Sequence, residues 1–399
     1  MLKAYKYRIY PDWNQRSLIN QTMGCCRLVY NLALETKIRA YKEHGVSLSG
    51  FDLINQFSEM KKDYDWMNIP YSHSIQSSIR NVERAYKNFF NGAGYPKYKK
   101  KTSRQSYACP DGKRHIDFDK SLLTIPKIPG IAIKLDKRAI MGDIKTVTVA
   151  KTPTDKYYVS ILVDTKKALP EKKTIDPDKT VGIDLGLTHF IILDNGDKFD
   201  NPRFLREHLD RLKYLQRKAS RKQKGSKNRK KANKLVAAQH EKIGNKRNDY
   251  LQKLSTKLVG DNQATTFCIE NLAVANMVKN HKLALSISDA SWSEFIRMLK
   301  YKSEWAGKNV IEIGRFEKST KTCFCCKQVN ETVDLADRIW TCQGCNTTHD
   351  RDINAAKNIK EMGLSEAGRG TSKKSVEPRR LPRARKQEVS NYKGIYLKV

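Results

Sequence analysis

The sequence has few acidic residues for its length. Its 399 residues include 42 Asp and Glu against 77 Lys and Arg, so the formal net charge is +35. An excess this large is typical of proteins neutralised by a polyanion, because each phosphate contact releases condensed counterions. The alternative is a basic surface that serves only solubility.

Long apolar runs are also absent. No segment has the length needed to cross a bilayer, and "LKAYKYRIYP" after Met1 lacks the apolar stretch of a signal peptide. A basic membrane-surface protein would need an amphipathic helix with a broad apolar face, and the sequence shows none. We therefore expect a cytoplasmic protein with no membrane partner.

Several catalytic motifs are missing. The chain has no Gly-rich loop followed by Lys-Ser/Thr, which argues against nucleotide hydrolysis, and no G-x-S-x-G for covalent catalysis. Its eight histidines form no H-E-x-x-H motif. His189 and His349 lie near acidic residues and could assist a reaction, but we interpret both as surface residues.

The first half of the chain combines β and helical patterns. Residues 1–12 and 93–178 contain short alternating segments between Pro, Gly and charged turns, which predict a small β-barrel. Residues 13–92 instead carry apolar side chains at helical spacing, and Gly45 is a plausible C-cap. We expect a helical domain inserted into the barrel.

The second half predicts an α/β domain with an insertion and a tail. Residues 179–320 and 347–364 contain apolar strands and amphipathic helices, and residues 321–346 contain two cysteine pairs. Residues 365–399 are basic and rich in Gly, Ser, Pro and Arg, which predicts disorder. The chain is thus expected to be a multidomain α/β protein.

One stretch is purely basic. "RKASRKQKGSKNRKKANK" contains no acid and separates two predicted helices. A charge run of this kind is usually a solvated tip, but in so basic a chain we favour a hairpin that binds phosphates. Its candidate contacts are Arg221, Lys222, Arg229 and Lys230.

Acidic residues occur in apolar surroundings at three places. Asp184 lies within the strand "VGIDLGL", Glu270 ends the strand "TTFCIEN", and Asp350 and Asp352 precede the helix "INAAKNI". A buried carboxylate is costly unless it is paired or binds a metal. Converging carboxylates are ligands that Mg²⁺ prefers, and two such ions can promote phosphodiester hydrolysis.

Each of these acids also has a structural interpretation. Glu270 alone could be hydrogen-bonded scaffolding, and Asp352 alone could be a helix N-cap. The spacing does not by itself separate Asp350 from Asp352. The combination of three acidic positions in a chain expected to bind nucleic acid favours a metal-dependent site.

The cysteines carry the most specific metal signal. Cys323-x₂-Cys326-x₁₅-Cys342-x₂-Cys345 has the spacing of a closed four-thiolate zinc site, which is structural rather than catalytic. Cys325 lies beside Cys326 and could compete for the ion. The remaining cysteines have no partner at ligand spacing and are expected to be buried apolar groups: Cys25, Cys26, Cys109 and Cys268.

The motifs "GIDLGL", "IENL", C-x₂-C…C-x₂-C and "DRDINAAKNI" occur in that order, and with them the chain closely resembles the TnpB family. "KAYKYRIYP", "GCCRLVYNLAL" and "GYPKYKKK" are also similar to that family. These proteins are RNA-guided endonucleases of insertion sequences, related to type V CRISPR nucleases. The resemblance implies an RNase H-like (RuvC) nuclease domain with a zinc-ribbon insertion, a β-barrel wedge domain and a helical recognition insert.

The resemblance also implies the site residues and the cofactors. The catalytic, Mg²⁺-binding acids would be Asp184, Glu270 and Asp352. The resemblance thus favours Asp352, the second acid of "DRD", over Asp350. Two Mg²⁺ ions would be bound, with Mn²⁺ as a possible substitute, together with one structural Zn²⁺ at the four cysteines.

The implied partners are a guide RNA from the element's own end and double-stranded target DNA, bound by a monomer in the prokaryotic cytosol or nucleoid. Nucleic-acid contacts toward the N-terminus would include Ser74, Gln76, Ser77, Lys97, Lys99 and Lys100. Two other functions stay open: a catalytically silent RNA-guided DNA-binding protein, and a transposase-associated nuclease that needs no guide.

The chain departs from the family at the two cysteine knuckles. Gly usually follows the second cysteine of each knuckle, where the backbone needs a permissive conformation, but here Lys327 and Asn346 stand there. Asn tolerates a positive φ better than Lys does. We expect a slightly strained first knuckle that still binds zinc.

Overall fold

The fold is described from a computed structural model. The described residues are 1–136, 140–260, 263–315, 317–334 and 337–368. They form two compact units, one from residue 1 to 167 and the other beginning at residue 168. None of the helices in these ranges is both long and apolar enough to cross a membrane.

The first unit is built on a seven-stranded antiparallel sheet. Its strands are β1 (Leu2–Tyr10), β2 (Gln105–Cys109), β3 (His115–Asp117), β4 (Leu122–Ile125), β5 (Ile128–Lys134), β6 (Asp143–Lys151) and β7 (Tyr157–Asp164). They pair in the order β2-β6-β7-β1-β5-β4-β3, so the N-terminal strand lies in the middle of the sheet. The N-terminal strand thus belongs to the same sheet as the strands of residues 93–178. That it completes a closed barrel stays a prediction.

Three helices between β1 and β2 form the predicted helical segment: α1 (Trp13–His44), α2 (Gly50–Asp63) and α3 (Ser72–Phe90). Asp12 caps α1 by accepting a hydrogen bond from the amide of Gln15, and Gly45 ends the helix with φ of 66°. The helices share a core of their own around Leu34, Leu53 and Ile79. The sheet has a separate core in which α1 also takes part.

The second unit contains a five-stranded mixed sheet and a two-stranded one. The strands are β8 (Thr180–Leu185), β9 (His189–Leu193), β10 (Lys198–Asp200), β11 (Thr266–Glu270), β12 (Asn309–Ile313), β13 (Ile339–Thr341) and β14 (Thr348–Asp350). The large sheet has the order β10-β9-β8-β11-β12, in which β8, β11 and β12 run parallel. The small sheet pairs β13 with β14.

Seven helices complete this unit: α4 (Phe204–Glu207), α5 (Leu209–Ser220), α6 (Lys227–Gly260), α7 (Val274–Met277), α8 (Ala284–Ala290), α9 (Trp292–Trp305) and α10 (Arg351–Gly368). Helices α5 and α6 form the predicted basic hairpin. Because α10 continues through Gly368, the first residues of the predicted disordered tail, 365–368, are helical. The rest of that tail, 369–399, lies outside the described residues.

The large sheet is covered by helices on both faces. Ile183, Phe267 and Ile269 point into the core formed with α6 and α9. Cys268, which lies between Phe267 and Ile269 on β11, points to the other face of the sheet and packs with Ile359 of α10. Helix α10 therefore lies directly on the strands β8 and β11, on the face opposite α6 and α9.

Candidate active site and thiolate cluster

Asp184 and Glu270 lie side by side at the carboxyl-terminal edge of the large sheet, where its parallel strands end. The parallel register pairs Ile183 of β8 with Ile269 of β11, so the next residue of each strand is one of the two acids. Parallel strands end at the same edge, which brings both carboxylates there. As the sequence indicated, Asp184 lies within its strand, one residue before the end of β8, and Glu270 is the last residue of β11.

The third acid reaches this edge from α10. Asp350 ends β14, and its Oδ1 accepts hydrogen bonds from the backbone amides of Asp352 (3.0 Å) and Ile353 (3.1 Å). Its Oδ2 accepts a hydrogen bond from Lys198 Nζ at 2.6 Å. Asp350 is therefore the acid that caps the helix. The alternative interpretation of Asp352 as the N-cap is wrong, because Asp352 lies one residue inside the helix.

The three carboxylates interact electrostatically. Desolvation, followed by the charges of Glu270 and Asp352, raises the pKa of Asp184 well above its usual value, and Arg351 offsets this only in part. The pKa of Asp350 is lowered instead: its desolvation is outweighed by Lys198 and by the backbone amides that it caps. Glu270 and Asp352 thus place negative charge near Asp184 that a hard divalent cation would neutralise, and Arg351 and Arg338 already pair with Asp352.

Arg351, next to Asp352 in the chain, donates from Nε and Nη2 to Asp352 Oδ1 at 3.0 and 2.8 Å. Two side chains from outside the motifs also contact the acids. Arg338, which precedes β13, donates to Asp352 Oδ2 at 3.1 Å and to Thr188 Oγ1 at 3.0 Å. Ser319 donates from its Oγ to Glu270 Oε1 at 2.5 Å. Sequence reasoning missed both residues, since neither lies in a motif and only the fold brings them to the acids.

The four predicted cysteines lie together. The sulfur atoms of Cys323, Cys326, Cys342 and Cys345 are all within 4.8 Å of one another. The Cys323–Cys345 and Cys326–Cys342 separations are 3.6 and 3.5 Å. Tetrahedral zinc with bonds of about 2.3 Å to sulfur places its ligands about 3.8 Å apart, so this group fits the ion closely.

The two knuckles have the backbone that the sequence predicted. Lys327 has φ of 63° and Asn346 has φ of 54°, in the left-handed region that favours glycine. The amides of Lys327 and Asn346 donate to the carbonyls of Cys323 and Cys342. Although desolvation opposes it, the amides of Gly344 and Cys345 help lower the pKa of Cys342 to about 6, which favours the thiolate that binds metals.

His349 is not the surface residue that we expected. It is half-buried, its Nε2 lies 3.1 Å from Cys323 Sγ, and its ring lies 4.9 Å from that of Trp340. Cys323, Cys325 and His349 form a second group with a ligand atom each within 4.8 Å. Cys325 is exposed, so it is free to compete for an ion, as its place beside Cys326 suggested. His189 lies away from this group, with Nδ1 3.0 Å from Asp200.

Three of the other four cysteines have the predicted buried environment. Cys26, Cys109 and Cys268 are buried, and Cys25 is half-buried. Burial raises the pKa of the Cys26 and Cys268 thiols to about 12. These groups are therefore protonated and unreactive near neutral pH.

The basic hairpin exposes most of its predicted contacts. Arg221, Lys222 and Lys230 are exposed around the turn between α5 and α6. Arg229 is half-buried, and its Nη1 donates to the carbonyl of Lys222 at 3.0 Å. This hydrogen bond stabilises the turn.

The N-terminal candidates separate into buried and accessible residues. Ser74 is fully buried in α3, with its Oγ 3.6 Å from Cys109 Sγ, so its predicted contact with nucleic acid is wrong: the side chain faces the core. Gln76 and Ser77 are half-buried and Lys97 is exposed. Lys99 is half-buried, with its Nζ 3.9 Å from the centre of the Tyr30 ring.

A basic cavity lies in the first unit beside these residues. Its volume is about 580 Å³ and Ser77 and Lys100 are among the residues that line it. Four arginines line it as well: Arg27, Arg80, Arg84 and Arg104. This concentration of positive charge suits a polyanion.

Three family models match successive parts of the chain. Residues 158–281 match OrfB_IS605, described as "Probable transposase", and residues 292–359 match the "Cas12f1-like, TNB domain". Residues 1–46 match HTH_OrfB_IS605, described as a helix-turn-helix domain. In the structure these last residues form strand β1 and the single helix α1.

The chain is similar to curated proteins over most of its length. It is 38% identical over 375 residues to the Streptomyces pristinaespiralis protein named "Putative RNA-guided DNA endonuclease", covering 92% of this chain and 91% of that protein. It is 29% identical over 396 residues to "Putative RNA-guided DNA endonuclease InsQ" of Escherichia coli K12, covering 94% and 96%.

Similar proteins also include a viral one and a solved structure. "TnpB-like protein L770" of Acanthamoeba polyphaga mimivirus is 28% identical over 246 residues, covering 58% of this chain and 46% of that protein. The protein in "Cryo-EM structure of the Cas12f1-sgRNA-target DNA complex" aligns with a TM-score of 0.55 at 16% identity, covering 87% of this chain and 83% of that one, which indicates a shared fold. By its motifs and by its identity to near-full-length relatives, the chain belongs to the TnpB family.

Proposed function

We propose that the chain is an RNA-guided DNA endonuclease of an insertion sequence, with Asp184, Glu270 and Asp352 as its catalytic acids. The observation that carries this proposal is the position of Glu270 and Asp352 near Asp184 at one end of the sheet, where desolvation, followed by the charges of these two acids, raises the pKa of Asp184. The names of the full-length relatives support the reaction and the guide.

The same acids would hold two Mg²⁺ ions, for which Mn²⁺ could substitute. A pair of divalent ions bound in this way supplies an activated water and stabilises the leaving oxygen of a phosphodiester. Asp184 and Glu270 would be held by adjacent strands, and Asp352 by the first turn of α10. Because three different elements supply the ligands, their spacing depends on how α10 packs on β8 and β11.

The remaining metal site would be structural. Cys323, Cys326, Cys342 and Cys345 would hold one Zn²⁺ in a ribbon that ends where α10 begins. This ribbon would be the counterpart of the TNB domain matched by residues 292–359. The sheet of the first unit would be the wedge domain, with α1 to α3 as the recognition insert.

The partners would be a guide RNA and a double-stranded DNA target. Base pairing would read the target sequence, while basic side chains hold the backbones without reading them. The exposed Arg221, Lys222 and Lys230 would contact phosphates at the hairpin. Lys97, Lys99 and Lys100, together with Gln76 and Ser77 beside the basic cavity, would contact nucleic acid in the first unit.

The acid assignment is tested with Asp184→Ala and Glu270→Ala in protein purified with its co-purifying RNA. We expect cleavage of matched DNA to be lost while DNA binding persists, since the acids contribute negative charge rather than phosphate contacts. Glu312→Gln is a matched control, because Glu312 lies on the adjacent strand β12 and pairs with Lys300 at 2.8 Å. Normal cutting by either alanine variant would refute the assignment.

The guide is tested separately by sequencing the RNA that purifies with the wild-type protein at high salt. A uniform RNA species supports guided cleavage. Random fragments would favour the guide-independent nuclease, and a wild type that binds matched DNA without cutting it would favour the catalytically silent binder.

A further inference from the structure

Ser319 holds one oxygen of Glu270 in place. It is only 2% exposed, and its hydroxyl donates to Glu270 Oε1 at 2.5 Å. A hydrogen bond to a carboxylate is among the stronger kinds, and it limits the rotation of the acid. Because Ser319 uses Oε1, the bond orients Oε2 for another ligand.

Ser319 is in turn held by α10. Asn358, also 2% exposed, donates from Nδ2 to the carbonyl of Ser319 at 2.8 Å and to the carbonyl of Thr322 at 2.6 Å. A buried amide that satisfies two loop carbonyls is costly to replace. The loop that carries Ser319 is therefore attached to the helix that carries Asp352.

A second asparagine extends this attachment to the thiolate cluster. Asn354 lies one turn before Asn358, and its Nδ2 donates to the carbonyl of Thr322 at 2.8 Å while its Oδ1 accepts from the amide of Phe324 at 2.9 Å. These two contacts flank Cys323, the first cysteine of the cluster. Helix α10 thus carries Asp352 in its first turn and, on another face, the two asparagines that hold the loop of Ser319 and the first knuckle.

We propose that Ser319 is a positioning residue for the divalent-metal site and that Asn354 and Asn358 couple this site to the thiolate cluster. Ordering of the first knuckle would fix the loop from Ser319 to Phe324, and the loop would fix the carboxylate of Glu270. This inference rests on the proposed function, because it takes Glu270 to be a metal ligand. Partners that orient metal ligands typically contribute about 10–100-fold to metal affinity or activity.

The test measures Mn²⁺ binding by electron paramagnetic resonance on the full chain, without a cleavage reaction. We expect Ser319→Ala to bind Mn²⁺ about tenfold more weakly than wild type. Ser255→Ala is the control, because it also removes a fully buried hydroxyl from this unit, at α6, and is expected to bind as wild type does. Wild-type binding by Ser319→Ala would overturn the proposal.

The coupling is tested with Asn358→Ala and with the double variant Asn358→Ala/Ser319→Ala. If both residues act through the same loop, the double variant loses no more Mn²⁺ affinity than the weaker-binding single variant. Independent, additive losses would overturn the coupling. Zinc content and thermal unfolding are measured alongside, and Ser319→Ala, which removes one oxygen atom, tests the positioning role should Asn358→Ala fail to fold.

The design separates failure of this inference from failure of the proposed function. A wild type that binds no Mn²⁺, or Glu270→Ala that binds it as wild type does, would refute the metal site itself and this inference with it. Normal wild-type binding that depends on Glu270 but not on Ser319 would refute this inference alone.

Discussion

Gly182 of β8 lies against Ala356 of α10 so closely that a Cβ atom on Gly182 would stand 2.0 Å from the Ala356 carbonyl oxygen. The same helix approaches β11 at Gly363, where a Cβ atom would lie 2.4 Å from Cys268 Sγ. These two glycines let α10 lie directly on the strands that carry Asp184 and Glu270. The spacing of the three acids therefore depends on glycine, which has no side chain, at positions 182 and 363.

Gly182→Ala is expected to displace α10 from the sheet. The contact is with backbone, which cannot rotate away, so the variant should lose about 3 kcal/mol of unfolding free energy and most of its cleavage activity. Urea unfolding measures the first effect and a cleavage assay the second. Gly244→Ala in α6 is the control: nothing lies within 4 Å of its Cβ position, and the change should stabilise the helix by about 0.5–1 kcal/mol. Equal stability of the two variants would contradict the close packing.

The thiolate cluster is expected to hold one Zn²⁺ per chain through four cysteines. Cys323→Ser and Cys342→Ser should lose the ion, and with it much of their solubility, because a closed zinc site folds the segment around it. Cys325→Ser should keep the full zinc content, since Cys325 is not one of the four cysteines whose sulfur atoms all lie within 4.8 Å of one another. Elemental analysis of the purified variants decides this. Loss of zinc from Cys325→Ser would instead assign the ion to Cys323, Cys325 and His349.

The first knuckle is expected to bind zinc more tightly with glycine than with alanine at position 327. Lys327 has φ of 63°, where a Cβ atom costs roughly 1 kcal/mol or more. Both Lys327→Gly and Lys327→Ala remove the ion pair with Glu361 and the contact with the Phe324 ring, so their difference reports the backbone alone. About 1 kcal/mol corresponds to about fivefold in zinc affinity, measured by chelator competition. Equal affinities would show that the knuckle is unstrained.

The hairpin is expected to bind phosphates. The double variant Arg221→Ala/Lys222→Ala should bind the co-purifying RNA more weakly, and the slope of log affinity against log salt should fall by about 1 for each phosphate-binding side chain removed. Lys253→Ala is the control, because Lys253 lies on α6 away from the turn and pairs with Asp249 at 2.7 Å. An unchanged slope in the double variant would mean that the turn is only a solvated tip.

Much of this protein could be predicted from local sequence. Strand β1, the capped helix α1 and the α5–α6 hairpin follow from alternation, helical spacing and capping residues, which act within a few positions of each other. The zinc spacing was also predictable from local sequence, whereas the positive φ at Lys327 and Asn346 was expected from the glycine that the family usually has at these positions. Asp184 and Glu270 were found because a carboxylate is conspicuous in an apolar strand.

The errors concern relationships between distant segments. The helical pattern around Ser74 does not reveal which face of the helix packs against the sheet, and Ser74 is buried on that face. His349 looked like a surface residue because the position of its ring depends on how β14 pairs with β13 and returns toward Cys323. The residue pattern could not separate Asp350 from Asp352; the family resemblance favoured Asp352, and the structure shows that Asp350 caps α10.

The sequence by itself determined the charge of the protein, most of its strands and helices and its four-cysteine spacing. It also singled out Asp184 and Glu270 as acids in apolar strands. All of these depend on composition and short-range pattern. Only the tertiary structure decided which side chains meet: Ser319 with Glu270, Arg338 with Asp352, and Gly182 with Ala356. These contacts join residues that are 14 to 174 positions apart. They arise from the parallel register of β8 and β11 and the packing of α10 upon it, neither of which has a local sequence signal.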